Sequence, residues 1–346
     1  MEYVQPRFSR QVVNRAGSVL VSENIFHEDW EWANEVLANW RASHGYPINT
    51  FQATLRGKLK DIDAGALVAQ RLKRTPSIIL KLKRFPSMNL AQMQDIGGLR
   101  AVLSSVSRVR KLEKSYRTSR FKHQLVSSKD YLKNPKPDGY RGIHLIYKYQ
   151  NPNVTVYNGL SIELQIRTRL QHAWATAVET MGTFLGQALK SGQGEDQWRD
   201  FFALAGAALA ISEKTAPVPG YEKCSEKEIR KKLIDSQRGL KVFQKLRSFA
   251  VAADKITRER GAGAYHLIVL NSITRTVNIK PFPVYKLEEA NREYADIEAQ
   301  SKAGNPLEAV LVSAGPVDSL RKAYPNYFLD THQFIVELSK WIDRPL

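Results

Sequence analysis

The sequence predicts an α+β fold, with a mixed β-sheet flanked by helices and a smaller α/β domain towards the C-terminal end. Residues 160–167 alternate between apolar and polar side chains, as in a strand with one buried face. From Thr168 onward the apolar residues recur at helical spacing. Residues 215–223, TAPVPGYEK, have the prolines and glycine of a linker. We therefore expect one domain in 1–216 and a second in 217–346.

The elements of the first domain are expected to follow one another without an internal repeat. Leu55, Leu59, Ile62 and Leu67 lie at helical spacing and predict one helix that includes all four. Pro76 predicts the start of the next helix, because proline is tolerated in a first helical turn. The remaining elements are a leader and helix in 1–45, a strand with a Gly-Gly irregularity in 93–104, a basic helix in 106–122, a strand in 143–149, a loop in 186–196 and a helix in 197–213.

The second domain is expected to mix helices and strands. Its expected elements are one or two amphipathic helices in 225–255, a hairpin in 264–283 that turns near Asn271 and Ser272, a helix in 286–303, a strand in 308–314 and a final helix in 331–342. The aromatic residues of the hairpin and of 324–334 are expected to lie in the core, in preference to forming a recognition surface.

Composition indicates a globular chain that does not enter a membrane. Hydrophobic residues make up 43% of the 346 residues, which is enough for a packed core. No apolar run approaches the roughly 18–20 residues of a membrane span, and the first ten residues lack the apolar core of a signal peptide. Cys224 is the single cysteine, which excludes internal disulfides and cysteine-cluster zinc sites. A cytoplasmic location is the simplest expectation.

The charge of the chain favours a polyanionic partner. The formal net charge is +18. Lys and Arg outnumber Asp and Glu by 31 to 18 in residues 1–220 and by 21 to 16 in the remainder, so the excess lies mainly in the first part. Such an excess suits RNA or a nucleotide with several phosphates. Solubility alone is the alternative explanation.

Polar groups that could perform chemistry occur at the expected strand ends and faces. They are Asp95, Arg100, His144, Glu163, Gln165 and Arg167. Two carboxylates on otherwise apolar strands are costly to bury unless they are paired or bind a metal. Asp95 and Glu163 therefore indicate either Mg²⁺ held together with phosphate oxygens or two salt bridges with Arg100 and Arg167. The pattern alone leaves both interpretations open.

A proline- and glycine-rich elbow precedes the strand at 143–149. In KNPKPDGYRGIHLIY, residues 133–147, the prolines fix φ and Gly139 permits positive φ. The elbow presents Tyr140, Arg141 and His144 at the mouth of the strand, which favours a ligand site, although a connecting loop with a basic rim has the same pattern. No Walker loop, no G-x-G-x-x-G and no G-x-S-x-G elbow is present.

Three segments in order resemble the successive motifs of the RelA/SpoT-type nucleotidyltransferase domain. They are DIGGLRAVL at 95–103, YLKNPKPDGYRGIHLIY at 131–147 and IELQIRTRLQHAWATAVE at 162–179, and RLKRTPSIILKLKR at 71–84 is similar to the segment that precedes them in the family. The resemblance covers roughly residues 40–213. It implies a domain that moves a pyrophosphoryl group from ATP to a ribose hydroxyl, with AMP as the leaving group.

The resemblance also implies roles for individual residues. Asp95 and Glu163 would hold Mg²⁺, Glu163 would help to deprotonate the attacking hydroxyl, and Tyr140 would stack on the acceptor base. The other implied roles are contacts to ATP for Arg71, Lys73, Ser77, Lys81, Arg84 and Arg100, positions near the transferred group for Arg141 and His144, and acceptor contacts for Lys136, Gln165 and Arg167. His172 and Glu179 match the helix after the motif, where packing is an equally good interpretation.

The layout of the chain is similar to the CapRel type, a fused toxin–antitoxin. Residues 1–45 are too few for the hydrolase domain of the long RelA/SpoT enzymes, and residues 217–346 do not resemble their regulatory modules. The CapRel resemblance implies a toxic synthetase inhibited by its own C-terminal domain and released by a phage protein such as the major capsid protein. Its acceptor would be the 3′-CCA end of tRNA, and modification of this end would block translation. The alternatives are an alarmone synthetase that uses a guanine or adenosine nucleotide, and a non-enzymatic RNA-binding module.

The basic helix in 106–122 favours tRNA as the acceptor. Residues 108–122 contain seven Lys or Arg and a single acidic residue, Glu113. The residues expected to contact the phosphates of the tRNA acceptor stem are Arg108, Arg110, Lys111, Lys114 and Arg117. A solvated helix face and a patch for the phosphates of an alarmone are the alternative interpretations.

Overall fold

The computed structural model describes most of the chain. The residues it describes are 3–22, 26–185, 196–240, 242–243, 246, 265–271, 274, 276–303, 305, 307–312 and 331–343. In this part of the chain no helix is long and apolar enough to cross a membrane.

Local sequence determines where several helices begin. Ser9 and Ser105 each accept a hydrogen bond from a backbone N–H in the first turn of the helix that follows. Pro76 lies in the first turn of another helix, as the sequence predicts. The helices are α1 (Arg10–Val19), α2 (His27–Ala42), α3 (Gly45–Ile62), α4 (Thr75–Arg84), α5 (Val106–Thr118), α6 (Arg169–Leu185), α7 (Asp196–Ser212), α8 (Glu226–Leu240), α9 (Leu287–Lys302) and α10 (His332–Ile342).

The strands form two sheets. They are β1 (Leu67–Leu72), β2 (Gly97–Leu103), β3 (Gln124–Asp130), β4 (Ile143–Lys148), β5 (Ser161–Thr168), β6 (Tyr265–Asn271), β7 (Thr276–Phe282) and β8 (Leu307–Val312). The larger sheet has the order β1-β2-β5-β4-β3, and the smaller has the order β7-β6-β8. β2 and β5 are parallel, whereas the other neighbours are antiparallel. The predicted α+β fold with a mixed sheet is confirmed.

The main hydrophobic core lies on one face of the larger sheet. Ile162, Leu164 and Ile166 of β5 are fully buried there, together with Phe51 of α3 and Leu112 of α5. The alternation predicted for β5 is therefore confirmed, and its other face is left for polar side chains.

A second hydrophobic core joins helices from both sides of the predicted linker. Trp174 of α6 and Phe202 of α7 belong to the same buried cluster as Leu233 of α8 and Phe334 of α10. This cluster contains residues from both sides of the predicted linker, so the two predicted domains share a core. The boundary at 216/217 stays a prediction.

The smaller sheet and α9 form a third cluster beside the larger sheet. Leu267, Phe282, Ala290, Tyr294 and Ala309 are its buried residues. β8 lies beside β1, and α9 lies beside α4. Elements near the C-terminal end therefore contact the segment 71–84, which precedes the three motifs.

Two strands of the larger sheet differ from the sequence-based prediction. Leu67 was expected to extend a helix, but α3 ends at Ile62 and Leu67 begins β1. β3 was not predicted, because the edge strand QLVSSKD is mostly exposed and has few apolar residues. The hairpin of β6 and β7, the helix α9, the strand β8 and the helix α10 lie where the sequence predicts them. The loop expected in 186–196 and the segment 324–330 fall almost entirely outside the described residues.

Candidate active site

A cluster of charged side chains lies where the chain passes from β1 into α4. The Nζ atoms of Lys73 and Lys81 each lie 2.9 Å from a carboxylate oxygen of Asp95. β1 and β2 are antiparallel neighbours with Leu72 opposite Gly97, which brings the end of β1 close to Asp95 at the start of β2. Two predicted ATP-binding residues and one predicted metal ligand therefore form a single group, which we call the cationic cluster.

The cationic cluster keeps Asp95 ionised. Burial raises the pKa of Asp95, but the charges and hydrogen bonds of Lys73 and Lys81 outweigh burial and lower this pKa to about 2. Burial also lowers the pKa of Lys73, and Asp95 opposes that shift. With two ammonium groups against one carboxylate, the cluster has an excess of positive charge that suits an anionic ligand.

The elbow before β4 packs directly against α7. Gly139 has a φ of 91°, a left-handed conformation that favours glycine. A Cβ added at Gly139 would lie 3.0 Å from the carbonyl oxygen of Phe202, and a Cβ added at Gly206 would lie 2.7 Å from Gly139 Cα. The two glycines thus allow the elbow and the helix to touch. The N–H of Tyr140 donates to Asp138 Oδ1 at 2.9 Å, which closes the turn that presents the Tyr140 ring.

A row of hydrogen-bonded side chains crosses β4 and β5 from the elbow. Tyr140 Oη lies 2.5 Å from His144 Nε2, and His144 Nδ1 lies 2.8 Å from Glu163 Oε1. Gln165 Nε2 donates to Glu163 Oε2 at 2.8 Å, and Arg167 Nη2 donates to Gln165 Oε1 at 2.6 Å. The antiparallel register places His144 opposite Gln165, and alternate residues of β5 share a face, which aligns these groups. We call these five residues the polar row.

The polar row favours one protonation pattern. Burial raises the pKa of Glu163, but His144 and Gln165 outweigh burial and hold this pKa below its ordinary value. Because ionised Glu163 can only accept, His144 Nδ1 donates the hydrogen bond between the two side chains. Burial is the main cause of the raised pKa of Tyr140, so its side chain remains a phenol.

A pocket opens between the polar row and helices α6 and α7. Seven residues singled out from the sequence line it: Arg71, Arg100, Lys136, Tyr140, His144, Gln165 and Arg167. The Lys136 Nζ lies 5.2 Å from the centre of the Tyr140 ring, and the Arg167 guanidinium lies 5.5 Å from it. An aromatic ring among cations is a suitable surface for an anionic ligand that contains a base.

Five further residues line the pocket and were not predicted as site residues. They are Asp138, Trp174, Val178, Arg199 and Phe202. Trp174 and Val178 were predicted as core, and both are buried. Phe202 and Arg199 come from α7, whose position depends on contacts far apart in sequence. The sequence does contain one signal for this wall, since a glycine within a helix, here Gly206, often marks a close backbone approach.

Arg141 does not line this pocket, and its expected position near the transferred group stays a prediction. Its side chain is 1% exposed, and its Nη1 lies 2.6 Å from Glu213 Oε2. Glu213 also accepts from Thr168 Oγ1 and, at 2.9 Å, from Gln171 Nε2. The guanidinium needs this partner because an unpaired buried charge is very costly. Arg141 therefore fixes the elbow to the end of α7 while its neighbour Tyr140 lines the pocket.

Some predicted residues lie near the cationic cluster without lining the pocket. Ser77 is half-buried on α4, and the exposed Arg84 ends this helix with its guanidinium 5.5 Å from the ring centre of Phe85. Their contacts to ATP stay predictions. His172 is buried, and Glu179 lies 3.8 Å from Arg74 Nη2, so packing roles fit both.

The basic helix α5 is partly neutralised by the protein itself. Arg108 Nη1 lies 2.7 Å from Asp63, and Arg110 Nη1 lies 2.6 Å from Asp130. The other ion pairs of the helix join Arg110 and Arg117 to Glu113. The side chains of Lys111 and Lys114 are exposed. Of the five residues predicted to contact tRNA, these two lysines are the most readily available to a ligand, and the RNA contact itself stays a prediction.

The two carboxylates have the chemistry of a Mg²⁺ site that is completed by a ligand. Asp95 is close enough to Glu163 to raise its pKa by charge repulsion, although His144 and Gln165 outweigh this effect. No group of three or more His, Cys, Asp or Glu among the described residues could hold a metal ion. Mg²⁺ commonly uses one or two carboxylates and completes its shell with substrate phosphates and water. Asp95 and Glu163 fit that pattern.

The pocket coincides with a known family region. Residues 70–182, about a third of the chain, match the RelA_SpoT model, which describes a region found in RelA / SpoT proteins. These residues include the cationic cluster, the elbow and the whole polar row. The superfamily resemblance seen in the motifs is thereby supported, and the narrower CapRel resemblance stays a prediction.

Three curated proteins are similar to a part of this chain. GTP pyrophosphokinase YjbM of Bacillus subtilis (strain 168) is 33% identical over 111 residues, which are 32% of this chain and 52% of that protein. GTP pyrophosphokinase YwaC of the same strain is 32% identical over 114 residues, 31% of this chain and 52% of that protein. The GTP pyrophosphokinase of Haemophilus influenzae is 28% identical over 150 residues, 42% of this chain and 18% of that protein. The chain thus spans about half the length of the two Bacillus relatives.

Solved structures of small alarmone synthetases are also similar. Small alarmone synthetase 1 from Bacillus subtilis, bound to its product pppGpp, superposes with a TM-score of 0.44 and 23% identity, covering 54% of this chain and 94% of that chain. Small alarmone synthetase 2 from the same organism gives a TM-score of 0.42 and 24% identity, covering 53% of this chain and 95% of that chain.

Proposed function

We propose that this protein is an ATP-dependent pyrophosphokinase. The observation that carries the proposal is the polar row, which connects an aromatic platform, Tyr140, to an ionised carboxylate, Glu163, beside a cationic cluster. Such a site can hold a base at one end and phosphates at the other. The RelA/SpoT region in 70–182 and relatives named GTP pyrophosphokinase support the same reaction class.

The proposed reaction is a displacement at the β-phosphorus of ATP. The oxygen of an acceptor ribose hydroxyl forms a bond to this phosphorus, the bond from the phosphorus to the oxygen that bridges it to the α-phosphate breaks, and AMP leaves. The hydroxyl proton passes to Glu163, which is ionised and can accept it. His144 holds one oxygen of Glu163 and Gln165 holds the other, so the carboxylate is fixed in direction.

The donor phosphates are assigned to the cationic end of the pocket. Arg71 and Arg100 line the pocket, and Lys73 and Lys81 surround Asp95. On ATP binding, the two lysines exchange part of their contact with the carboxylate for contact with phosphate oxygens. Fixed cations stabilise the charge that develops during phosphoryl transfer.

Asp95 and Glu163 would hold Mg²⁺ together with the ATP phosphates. When bound, the ion would neutralise phosphate charge and orient the donor. The release of Lys73 and Lys81 towards the phosphates would free oxygens of Asp95 for the ion.

We assign the acceptor to the 3′-CCA end of tRNA, whose modification blocks translation. Support comes from the net charge of +18 and from the exposed Lys111 and Lys114 on α5. Tyr140 would stack on the terminal base, a contact worth about 1–3 kcal/mol. Phosphate contacts along the acceptor stem would make binding sensitive to salt.

A nucleotide acceptor is the second candidate, in which case the protein would make (p)ppGpp or an adenosine analogue. The observation that favours it is the name of the relatives, since each of the three curated matches is a GTP pyrophosphokinase. The ion pairs of Arg108, Arg110 and Arg117 also reduce the charge that α5 can offer to RNA.

The part of the chain after residue 217 is assigned the role of a regulatory antitoxin domain. α10 packs in the same hydrophobic cluster as α6 and α7, the helices that form the apolar wall of the pocket. A change in the position of α10 would therefore alter the packing of α6 and α7, and with it the shape of the pocket. We propose that this domain restrains the enzyme and that a phage protein, with the major capsid protein as the first candidate, relieves the restraint.

Label transfer tests both the reaction and the acceptor. The full-length protein is incubated with Mg²⁺ and ATP labelled at the γ-phosphate, with GDP, GTP, AMP or deacylated tRNA offered separately. Label on intact tRNA, but not on tRNA trimmed of its CCA end, is the expected result. Label on a nucleotide instead would identify an alarmone synthetase, and no transfer to any acceptor, with or without added capsid protein, would contradict a pyrophosphokinase.

A further inference from the structure

A buried polar network connects α9 to the segment that carries the cationic cluster. Glu298 Oε1 accepts the N–H of Thr75 at 3.0 Å, and the Tyr294 hydroxyl donates to the same oxygen. Arg41 Nη2 donates to the Tyr294 oxygen at 2.8 Å, and Arg41 Nε donates to the carbonyl oxygen of Lys73 at 2.9 Å. These groups come from three distant parts of the sequence and meet at the start of α4.

The network is buried and is not a surface contact. Tyr294, Glu298 and Thr75 are each 5% exposed. The Arg41 guanidinium lies 4.8 Å from the centre of the Tyr294 ring, and its Nη1 donates to Thr75 Oγ1 at 3.1 Å. A buried carboxylate that lacked such partners would cost several kcal/mol. Placing Glu298 here is therefore unfavourable unless the whole set of contacts is made.

Glu298 supplies a cap that α4 does not obtain locally. The first N–H groups of a helix have no partner within the helix. The N-cap residue of α4 is Arg74, whose side chain makes no capping hydrogen bond. Glu298, more than 200 residues away, accepts the N–H of Thr75 instead. A negative charge at this end of a helix is also favourable for the helix dipole.

We propose that Glu298, supported by Tyr294 and Arg41, is a positioning residue for binding of the ATP phosphates, an inference that rests on the proposed function. Glu298 fixes the first turn of α4, and Arg41 fixes the backbone of Lys73. Lys73 and Lys81 lie on either side of this fixed point and reach Asp95 from it. A small displacement of a clamp of this kind can weaken function strongly.

The proposal gives the C-terminal part of the chain a second task. Under autoinhibition alone, removal of this part would only release the enzyme. With Glu298 as a positioning residue, α9 is also needed for tight binding of ATP. Deletion of the C-terminal part would then free the enzyme from restraint and weaken its donor site at the same time.

The test compares three variants of the full-length protein. Glu298→Ala removes the cap, Glu298→Gln keeps an oxygen that can accept from Thr75, and Asp296→Ala alters an exposed acidic residue on the same helix. Equilibrium binding of a non-hydrolysable ATP analogue with Mg²⁺ is measured first. The KM values for ATP and for the acceptor, and the melting temperature, are measured next.

Glu298→Ala is expected to raise the KM for ATP and the dissociation constant of the analogue about tenfold, with the acceptor KM unchanged. Glu298→Gln is expected to stay within about threefold of wild type, because its hydrogen bond to Thr75 remains. Asp296→Ala should match wild type. Equal analogue binding by Glu298→Ala and wild type would overturn the proposal, as would equal loss of donor and acceptor affinity together with a lower melting temperature.

The two proposals fail in different ways. If the proposed function is wrong, wild type itself does not bind the ATP analogue. If only the positioning role is wrong, wild type binds the analogue and Glu298→Ala binds it equally well. Should Glu298→Ala fail to fold, Tyr294→Phe provides a second comparison, since it removes the hydroxyl that donates to Glu298 and accepts from Arg41.

Discussion

The two ends of the proposed site are held together by different interactions. At the donor end, Lys73 and Lys81 form ion pairs with Asp95, and all three are assigned to the ligand or its metal. At the acceptor end, the polar row consists of hydrogen bonds between side chains that keep fixed positions along β4 and β5. The donor end must therefore exchange partners when a ligand binds, whereas most of the acceptor end can keep its own.

This difference indicates which end depends on support from elsewhere. Ion pairs between flexible lysines and a carboxylate place few limits on geometry, so the donor end needs its backbone fixed by Arg41 and Glu298. The acceptor end obtains its geometry from strand register and from the packing of Gly139 on α7. Substitutions at the two ends should accordingly have distinct kinetic signatures.

The largest effect is expected for Asp95→Ala. Loss of this carboxylate removes a proposed Mg²⁺ ligand and leaves Lys73 and Lys81 without their common partner. We expect pyrophosphoryl transfer to fall by about a thousandfold, which corresponds to about 4 kcal/mol. Label transfer under saturating ATP measures it. Asp61→Ala, which alters an exposed carboxylate in α3, is the control, and activity near wild type in Asp95→Ala would contradict the metal assignment.

A comparable effect, but on stability, is expected for Arg141→Ala. It leaves Glu213, whose side chain is only 10% exposed, without its ionic partner. Breaking a buried ion pair by removing one partner typically costs about 3–5 kcal/mol. Denaturant unfolding measures the reduction in stability. The double variant Arg141→Met with Glu213→Leu should recover most of it, because removal of both charges avoids an unpaired one. If Arg141→Ala instead keeps its stability and loses transfer, Arg141 acts in the reaction and not as an anchor of the elbow.

Arg141 also shows which features of the site could be predicted from the sequence and which could not. The family resemblance and strand alternation singled out the members of the polar row and the cationic cluster, because each motif is a short continuous stretch of sequence. They could not give the direction of Arg141, whose partner Glu213 is 72 residues away. The same limit applies to Phe202 and Arg199, which reach the pocket only through the packing of α7.

The fold was predictable to a similar extent. Buried strands such as β5 have a clear apolar alternation, and helices such as α4 have local start signals. β3 is an exposed edge strand, and β1 continues the apolar spacing of α3 past Ile62, so neither has a strong local signal. The pairing of α5 arginines with Asp63 and Asp130 depends on contacts that no local pattern contains.

Substitution of Tyr140 is expected to have an intermediate effect, on binding of the acceptor. Tyr140→Ala removes the stacking surface and should raise the acceptor KM about tenfold to a hundredfold, from about 1–3 kcal/mol of stacking. Tyr140→Phe keeps the ring and loses only the hydrogen bond to His144, so its acceptor KM should change by less than about fivefold. The KM for ATP should stay the same in both. Equal effects in the two variants would mean that the hydroxyl, and not the ring, is the important group.

Acid should reduce the stability that ionised Asp95 gives to the folded protein, over a defined pH range. The pKa of Asp95 is lowered from 3.8 to about 2 in the folded protein, since Lys73 and Lys81 outweigh the opposing effect of burial. Its stabilisation is therefore complete above about pH 4 and is lost as the pH falls towards 2, an effect of about 2 kcal/mol. The difference in unfolding free energy between wild type and Asp95→Asn should shrink over this window. A difference that does not vary with pH would contradict the lowered pKa.

The smallest effect is expected for the exposed lysines of α5. Lys111→Glu with Lys114→Glu should reduce labelling of tRNA and lower the slope of log affinity against log salt by about 0.7–0.9 for each phosphate that a lysine no longer neutralises. ATP binding should not change, because neither lysine belongs to the cationic cluster or lines the pocket. Lys231→Glu with Lys232→Glu on α8 is the charge-matched control. Unchanged tRNA labelling would mean that α5 does not bind RNA and that its arginines serve only in their ion pairs. That result would favour a nucleotide acceptor, for which the polar row and Lys136 are sufficient.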